Sequence, residues 1–143
     1  MKLKSAMVAA GLLMASLASL AATLTFDEAG IGSTVDNFYA GGAGPNYGAD
    51  FLAGDWVVAS GFGQTSQPNL AYSASGGGTV NIAGGFAGTL SFTYGVFTDS
   101  TVSVYDGLNG TGTLLGSLSL ATNNPAAFDP ASLAFAGIGK SIV

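Results

Sequence analysis

The sequence predicts an all-β protein, an antiparallel β-sandwich of jelly-roll type with about eight or nine strands. Three observations support this prediction. Short runs of alternating apolar and polar residues recur along residues 23–143, which is typical of strands with one buried face. Gly, Asn and Asp separate the runs at sandwich-like intervals. No mature segment sustains a helical apolar period, so helical crossovers between parallel strands are not expected. We therefore expect a single sandwich domain over residues 22–143.

The strands are predicted, in chain order, at 23–27, 55–60, 70–72, 80–82, 89–97, 101–105, 114–120, 133–135 and 141–143. Between them, glycine is interpreted as a turn residue, because it adopts positive φ without steric cost. In each of the three strands at 89–97, 101–105 and 114–120, apolar residues alternate with polar ones and so lie on one face of the strand. We expect six residues to face one shared core: Leu90, Phe92, Tyr94, Val102, Val104 and Leu118.

The first 21 residues are predicted to be a signal peptide. Lys2 and Lys4 precede an apolar run at 6–17, and small residues stand at the positions expected before a cleavage site after Ala21. The alternative is a membrane-spanning helix, which needs about 20 strongly apolar residues. This run is shorter and is interrupted by serine. We therefore expect a leader helix at 1–21 and cleavage near Ala21.

The charge of the chain excludes two classes of partner. It has eight acidic residues and three lysines, with no arginine, so it lacks the row of cations that binding to nucleic acid or to anionic lipid requires. Removal of the leader would leave Lys140 as the only cation, which suits a soluble extracellular protein. No second apolar segment predicts a membrane anchor within this sequence. Without cysteine, neither a disulfide nor a thiolate metal site is possible.

Catalytic motifs are not found in the sequence. A Ser-His-Asp or Cys-His arrangement is impossible because the chain has no histidine and no cysteine. Glycoside hydrolysis needs two carboxylates at a set separation, and the candidates are Asp27, Glu28, Asp99 and Asp106. Acidic residues of this kind also cap turns, and we adopt that interpretation. The prediction is a protein without catalytic residues and without a cofactor.

Residues 106–112 form the most distinctive predicted loop. Asp106 and Asn109 are candidate calcium ligands, since Ca²⁺ is held by six to eight oxygens. The loop offers one carboxylate, and Asn109-Gly110 is a dipeptide that tight hairpins prefer. We predict a turn that does not bind calcium tightly.

Four aromatic residues are candidates for stacking on sugar rings: Tyr39, Tyr47, Trp56 and Tyr72. Aromatic side chains more often fill cores, and Trp56 shares a strand face with Val58, so we interpret Trp56 as a core residue. Tyr47 lies between Pro45-Asn46 and Gly48 and is expected to be the most exposed of the four.

Six segments occur in an order that resembles a known family: LTFD at 24–27, VDNFY at 35–39, ADF at 49–51, LSFTYG at 90–95, VSVYD at 102–106 and GKSIV at 139–143. Over most of residues 23–143 the chain resembles the extracellular domain of bacterial PEP-CTERM sorting proteins. The resemblance implies export and exosortase-dependent sorting to the cell surface or the exopolysaccharide matrix, and it carries over no active-site residue. The Pro-Glu-Pro motif, apolar helix and basic tail of that family do not follow here. We expect either a chain truncated at its C-terminus or a simply secreted protein.

The sequence therefore favours a non-catalytic, secreted or surface-associated structural or interaction protein of the bacterial extracellular matrix. Its expected partners are extracellular polysaccharide or other surface proteins. The alternative is a carbohydrate-binding domain on the same fold, because a β-sandwich hosts both functions. An exposed row of aromatic rings beside a groove would favour sugar binding, whereas interior rings would favour the structural role.

Overall fold

A computed structural model describes residues 22–52, 56–60, 69–123 and 128–143. These residues form a short 3₁₀ helix at Phe38–Ala40 and seven strands. The strands are β1 Ala49–Phe51, β2 Trp56–Ser60, β3 Asn69–Ser73, β4 Val80–Tyr94, β5 Ser100–Tyr105, β6 Leu114–Leu120 and β7 Asp129–Ile142. All strand pairs are antiparallel. The predicted antiparallel all-β sandwich is confirmed, and the leader helix predicted at 1–21 lies outside the described residues.

The strands form two sheets. The larger has the order β1-β4-β7-β5-β6, and the smaller is the β2-β3 hairpin. Strand β7 lies between β4 and β5, although it follows both in the chain. Just beyond β7, Val143 exchanges two backbone hydrogen bonds with Ser103 of β5, at 2.7 and 2.9 Å. The last residues of the sequence therefore join the two halves of the large sheet.

The described residues contain seven strands because two pairs of predicted strands are each one long strand. Strand β4 includes the predicted strand at 80–82 and most of that at 89–97, and β7 includes the predicted strand at 133–135 and the first two residues of that at 141–143. Gly85, Gly88 and Gly137 have φ of 76°, 91° and 97° within these strands, and the β4–β7 register shifts on both sides of Phe86. These glycines were expected to be turns, but they form bulges, where the same positive φ is required.

The strand predicted at 23–27 is wrong. Residues 22–25 have no regular structure, and Phe26 has a φ of 63° at the start of a turn. This turn brings the Phe26 ring edge-on to the rings of Tyr39 and Phe51, at 5.7 and 5.9 Å. Burial of the ring stabilises a conformation that an alternating pattern does not indicate. Strand β1 was not predicted, because three residues are too few to show a period.

The hydrophobic core cluster comes mostly from the first half of the chain. It consists of Ala29, Val35, Tyr39, Ala49, Phe51, Val58 and Val80. Loops and short strands supply most of these residues, and β4 contributes only Val80. This core therefore holds the irregular segment 24–48 against the beginning of the large sheet.

The six residues that were predicted to face a shared core lie on the less exposed faces of β4, β5 and β6. Val104 is fully buried, and the other five predicted residues are half-buried beside exposed neighbours such as Ser91 and Ser117. Leu133 of β7 pairs with Leu90, and an added Cβ at Gly116 of β6 would lie 3.2 Å from Leu133 Cδ1. Strand β6 therefore packs over β7, which makes a second apolar layer.

Candidate functional site

Tyr39 is the centre of an aromatic cluster in the core. Its side chain is 0% exposed. The ring packs at 4.9 Å edge-on to Phe38 and lies nearly parallel to Tyr47, with centroids 6.0 Å apart. Gly41, at a φ of 95°, ends the 3₁₀ helix that carries Tyr39. Tyr39 was a candidate for sugar stacking, but its burial corrects that assignment, because both faces of the ring are covered by protein.

The Tyr39 hydroxyl donates a hydrogen bond to Glu28 Oε2 at 3.1 Å. Burial, together with this bond and the negative charge of Glu28, raises the pKa of Tyr39 to about 12. The Glu28 pKa is lowered, first by the Glu28 backbone amide and then by the hydroxyls of Tyr39 and Thr25. Glu28 is therefore an ionised acceptor that fixes a core tyrosine, and it lacks the raised pKa of a general acid.

The other aromatic candidates differ in exposure. Trp56 is half-buried, packs edge-on to Phe51 at 5.5 Å and belongs to the shell around the core cluster, as expected. Tyr47 and Tyr72 are 42% and 44% exposed. Phe97, in the turn after β4, is 78% exposed and was not predicted as a surface residue. Its place at the end of a period-2 run gave no signal of exposure.

The loop after β5 is organised by its own polar side chains. Asp106 Oδ1 accepts a hydrogen bond from the Thr113 amide at 2.6 Å, and this bond lowers the pKa of the Asp106 carboxyl. Asn109 and Gly110 have φ of 56° and 68°, as both central residues of a type I′ turn require. Asn109 Oδ1 accepts from Asn81 Nδ2 at 2.7 Å, and the Asn109 amide donates to Asn81 Oδ1 at 2.8 Å. Asp106 Oδ1 and Asn109 Oδ1, the side-chain oxygens of the two candidate calcium ligands, thus each accept a hydrogen bond from the protein.

Ser141 of β7 forms two hydrogen bonds with the backbone of the same loop. It is the only buried polar residue among those described, at 0% exposure. Its hydroxyl donates to the Gly107 carbonyl oxygen at 2.6 Å and accepts from the Gly110 amide at 3.0 Å. Nothing in the sequence distinguished Ser141 from the many exposed serines, because its importance comes from the loop that lies over it.

Asp99 and Asp106 do not lie together. Asp99 and Asp106 flank opposite ends of β5, so about 23 Å of extended strand separates them, far more than the roughly 10 Å that glycoside hydrolysis tolerates. In the part of the chain that the structure describes, no group of three acidic residues could hold a metal ion. The described residues also include no helix that is long and apolar enough to cross a membrane.

A shallow groove of about 330 Å³ lies between the start of β5 and the end of β6. Asp99 contributes a carboxylate, which accepts from the Thr122 amide and hydroxyl at 2.9 and 3.0 Å. The Thr122 amide is the main cause of the lowered pKa of Asp99. The groove is lined by Asp99, Ser100, Thr101, Ser119, Leu120 and Ala121. It offers hydrogen bonds to a polar ligand, but none of the lining residues is aromatic, so it lacks a stacking surface.

Comparisons of the chain with models of protein families, with curated proteins and with solved structures found no match.

Proposed function

We propose that this chain is a non-catalytic structural or interaction protein of a bacterial extracellular matrix, secreted or held at the cell surface. The observation that carries the proposal is the burial of Tyr39, with Trp56 packed beside Phe51. Tyr39 and Trp56, two of the four candidates for sugar stacking, are thereby packed against other rings of the protein and stabilise its fold. The acidic, cysteine-free composition, the leader at 1–21 and the resemblance to PEP-CTERM proteins support the extracellular location.

The outer face of the large sheet also supports a structural role. Serines face each other across neighbouring strands, with Ser103 and Ser117 hydroxyls 3.2 Å apart and those of Ser91 and Ser132 3.4 Å apart. Such pairs stabilise a sheet through its own cross-strand contacts. The serine hydroxyls are uncharged and lie on strand faces opposite the apolar residues of β4–β7 and β5–β6.

The second candidate function is carbohydrate binding. It is favoured by the exposed rings of Tyr47 and Tyr72, because an exposed tyrosine presents a large, rigid face at low entropic cost. A sugar-binding role would then depend on these two rings.

Sedimentation with insoluble polysaccharides and a glycan array distinguish the two functions. For a structural protein we expect no saturable sugar binding and no effect of Tyr47→Ala or Tyr72→Ala. Phe97→Ala is the matched control, since it removes another exposed ring. Saturable binding that Tyr47→Ala abolishes and Phe97→Ala retains would establish the carbohydrate-binding alternative. Fractionation of bacterial cells producing the full sequence tests location, and retention of the chain in the cytoplasm would overturn the extracellular role.

A further inference from the structure

Strand β6 is an open edge of the large sheet. Its hydrogen-bonded neighbour in the described sheet is β5, and no described strand pairs with its other side. The strand reads LLGSLSL and contains neither a charged residue nor proline. Edge strands of soluble proteins are usually protected by lysine, proline or a cover. The free edge of β6 is therefore suited to pairing with another strand.

The hydrogen-bond pattern of β5 shows which backbone groups face this edge. Ser103 exchanges both of its backbone hydrogen bonds with Val143, on the β7 side. Because successive residues direct their backbone groups to opposite sides of a strand, Val102 and Val104 face β6. Their partners are Leu118 and Gly116. The intervening residues of β6, Ser117 and Ser119, thus present their N–H and C=O groups outwards.

A bulge limits the length of β6 that a partner can use. Tyr105 pairs with Leu114 and Val104 pairs with Gly116, so Leu115 is an extra residue. An added Cβ at Gly137 would lie 3.5 Å from Leu115 Cδ2, so the Leu115 side chain is turned towards β7. The regular part of the edge is 116–120.

This regular part is complementary to itself. In an antiparallel pair, hydrogen-bonded positions must be residues whose backbone groups face the partner. A two-fold axis at Leu118 places Ser117 opposite Ser119 of a second copy, and Ser119 opposite its Ser117. On the other face, Gly116 lies opposite Leu120 of that copy, so the smallest and a large residue fit together. Every residue of 116–120 gains a partner in this register.

We propose that a second copy of this chain pairs with this one through residues 116–120 of β6, antiparallel about a two-fold axis at Leu118. This proposal rests on the proposed structural function, and it identifies a second copy of the chain as the partner in that function. Because both strands are uncharged, they meet without local repulsion, although the whole chain carries a net charge of −5. Added salt screens the repulsion between the two acidic molecules, so it should strengthen the dimer.

Sedimentation equilibrium of protein purified from cells expressing the full sequence tests the pairing. We expect a monomer–dimer equilibrium that shifts towards the dimer with added salt. The double variant S117K/S119K places lysines opposite lysines, so we expect dimerisation to weaken by roughly tenfold. The variant S117E/S119K places Glu opposite Lys at both positions in this register, so it should retain the dimer and show a weaker salt response, because salt also screens the new attraction. Ser132→Lys, on the outer face of the central strand β7, is the control and should leave dimerisation unchanged.

Circular dichroism confirms that each variant folds before its association is measured. A wild-type chain that stays monomeric at all concentrations and salt levels would overturn the proposal, as would equal dimerisation of both double variants. Such results leave the matrix role standing, since that role is tested separately by location and sugar binding. Conversely, sugar binding through Tyr47 in a chain that still dimerises would overturn the structural function alone.

Discussion

Tyr39 shows how one side chain connects the irregular first half of the molecule to its sheets. Its ring contacts the turn at Phe26 and strand β1 at Phe51, and its hydroxyl reaches Glu28. A buried tyrosine hydroxyl requires a hydrogen-bond partner, and an ionised carboxylate is a strong one. Glu28 is therefore a structural residue, although its residue type alone also suited catalysis.

The titration of Tyr39 gives the first prediction. Its pKa rises from 10.0 to about 12 in the folded chain, so the folded state holds this proton more tightly than the unfolded state does. The resulting stabilisation is complete below pH 10.0 and is lost as the pH rises to about 12. Phenolate absorbance should show a titration step near pH 12, and Tyr39→Phe should remove that step. Tyr72→Phe, which removes an exposed tyrosine hydroxyl, is the control and should retain that step; a step near pH 12 that persists in Tyr39→Phe would contradict the assignment.

At the scale of elements, the loop between β5 and β6 depends on β7. Ser141 binds a carbonyl oxygen and an amide of this loop, and Asn81 of β4 binds Asn109. A turn could be predicted from Asn109-Gly110 because the dipeptide itself favours positive φ. Its anchors could not be predicted, since they come from strands distant in sequence.

Replacing Ser141 by alanine should destabilise the chain by about 1–3 kcal/mol, because the partly buried Gly107 carbonyl and Gly110 amide each lose a hydrogen-bond partner. Urea denaturation measures this change as a lower midpoint. Ser132→Ala removes a hydroxyl that is exposed on the same strand, and it should change the free energy of unfolding by less than about 0.5 kcal/mol. Equal effects of the two substitutions would show that the loop does not depend on Ser141.

Calcium should leave this loop unchanged. Asp106 Oδ1 and Asn109 Oδ1 already accept hydrogen bonds from the protein, and affinity for Ca²⁺ depends on the number of charged ligands. We expect the melting temperature to be the same with millimolar calcium and with chelator. A calcium-dependent rise that Asp106→Asn abolishes and Asp99→Asn retains would identify a site in the loop.

The strands illustrate how much of the fold was predictable. Strands β5 and β6 were predicted nearly residue by residue, because apolar and polar residues alternate through 101–105 and 117–120. The two long strands were divided at glycines, since sequence does not distinguish a bulge from a turn when both require positive φ. The core cluster was not predicted, because its residues come from loops, the 3₁₀ helix and three different strands, so no single segment shows a period of burial. For the same reason, the exposure of Phe97 and the burial of Tyr39 were evident only from the structure.

At the scale of the molecule, the chain is acidic and its described residues form two antiparallel sheets. The leader prediction belongs to this scale. Cells expressing the full sequence should release a chain that begins near Ala22, and N-terminal sequencing of the released protein measures this. Replacing Lys2 and Lys4 by glutamate should block release, because the positive region directs the leader. A released protein that still begins with Met1 would contradict the prediction.

The central position of β7 has a consequence for the order in which the protein can assemble. Both of its neighbours are synthesised earlier, yet neither β4 nor β5 can complete its pairing until residues 129–142 exist. A nascent chain therefore cannot close the large sheet before residues 129–142 have been made, and contacts between residues so far apart in sequence form slowly. Before that point β1 can pair with β4 and β5 with β6, so β7 is the element that turns two separate pairs of strands into one sheet.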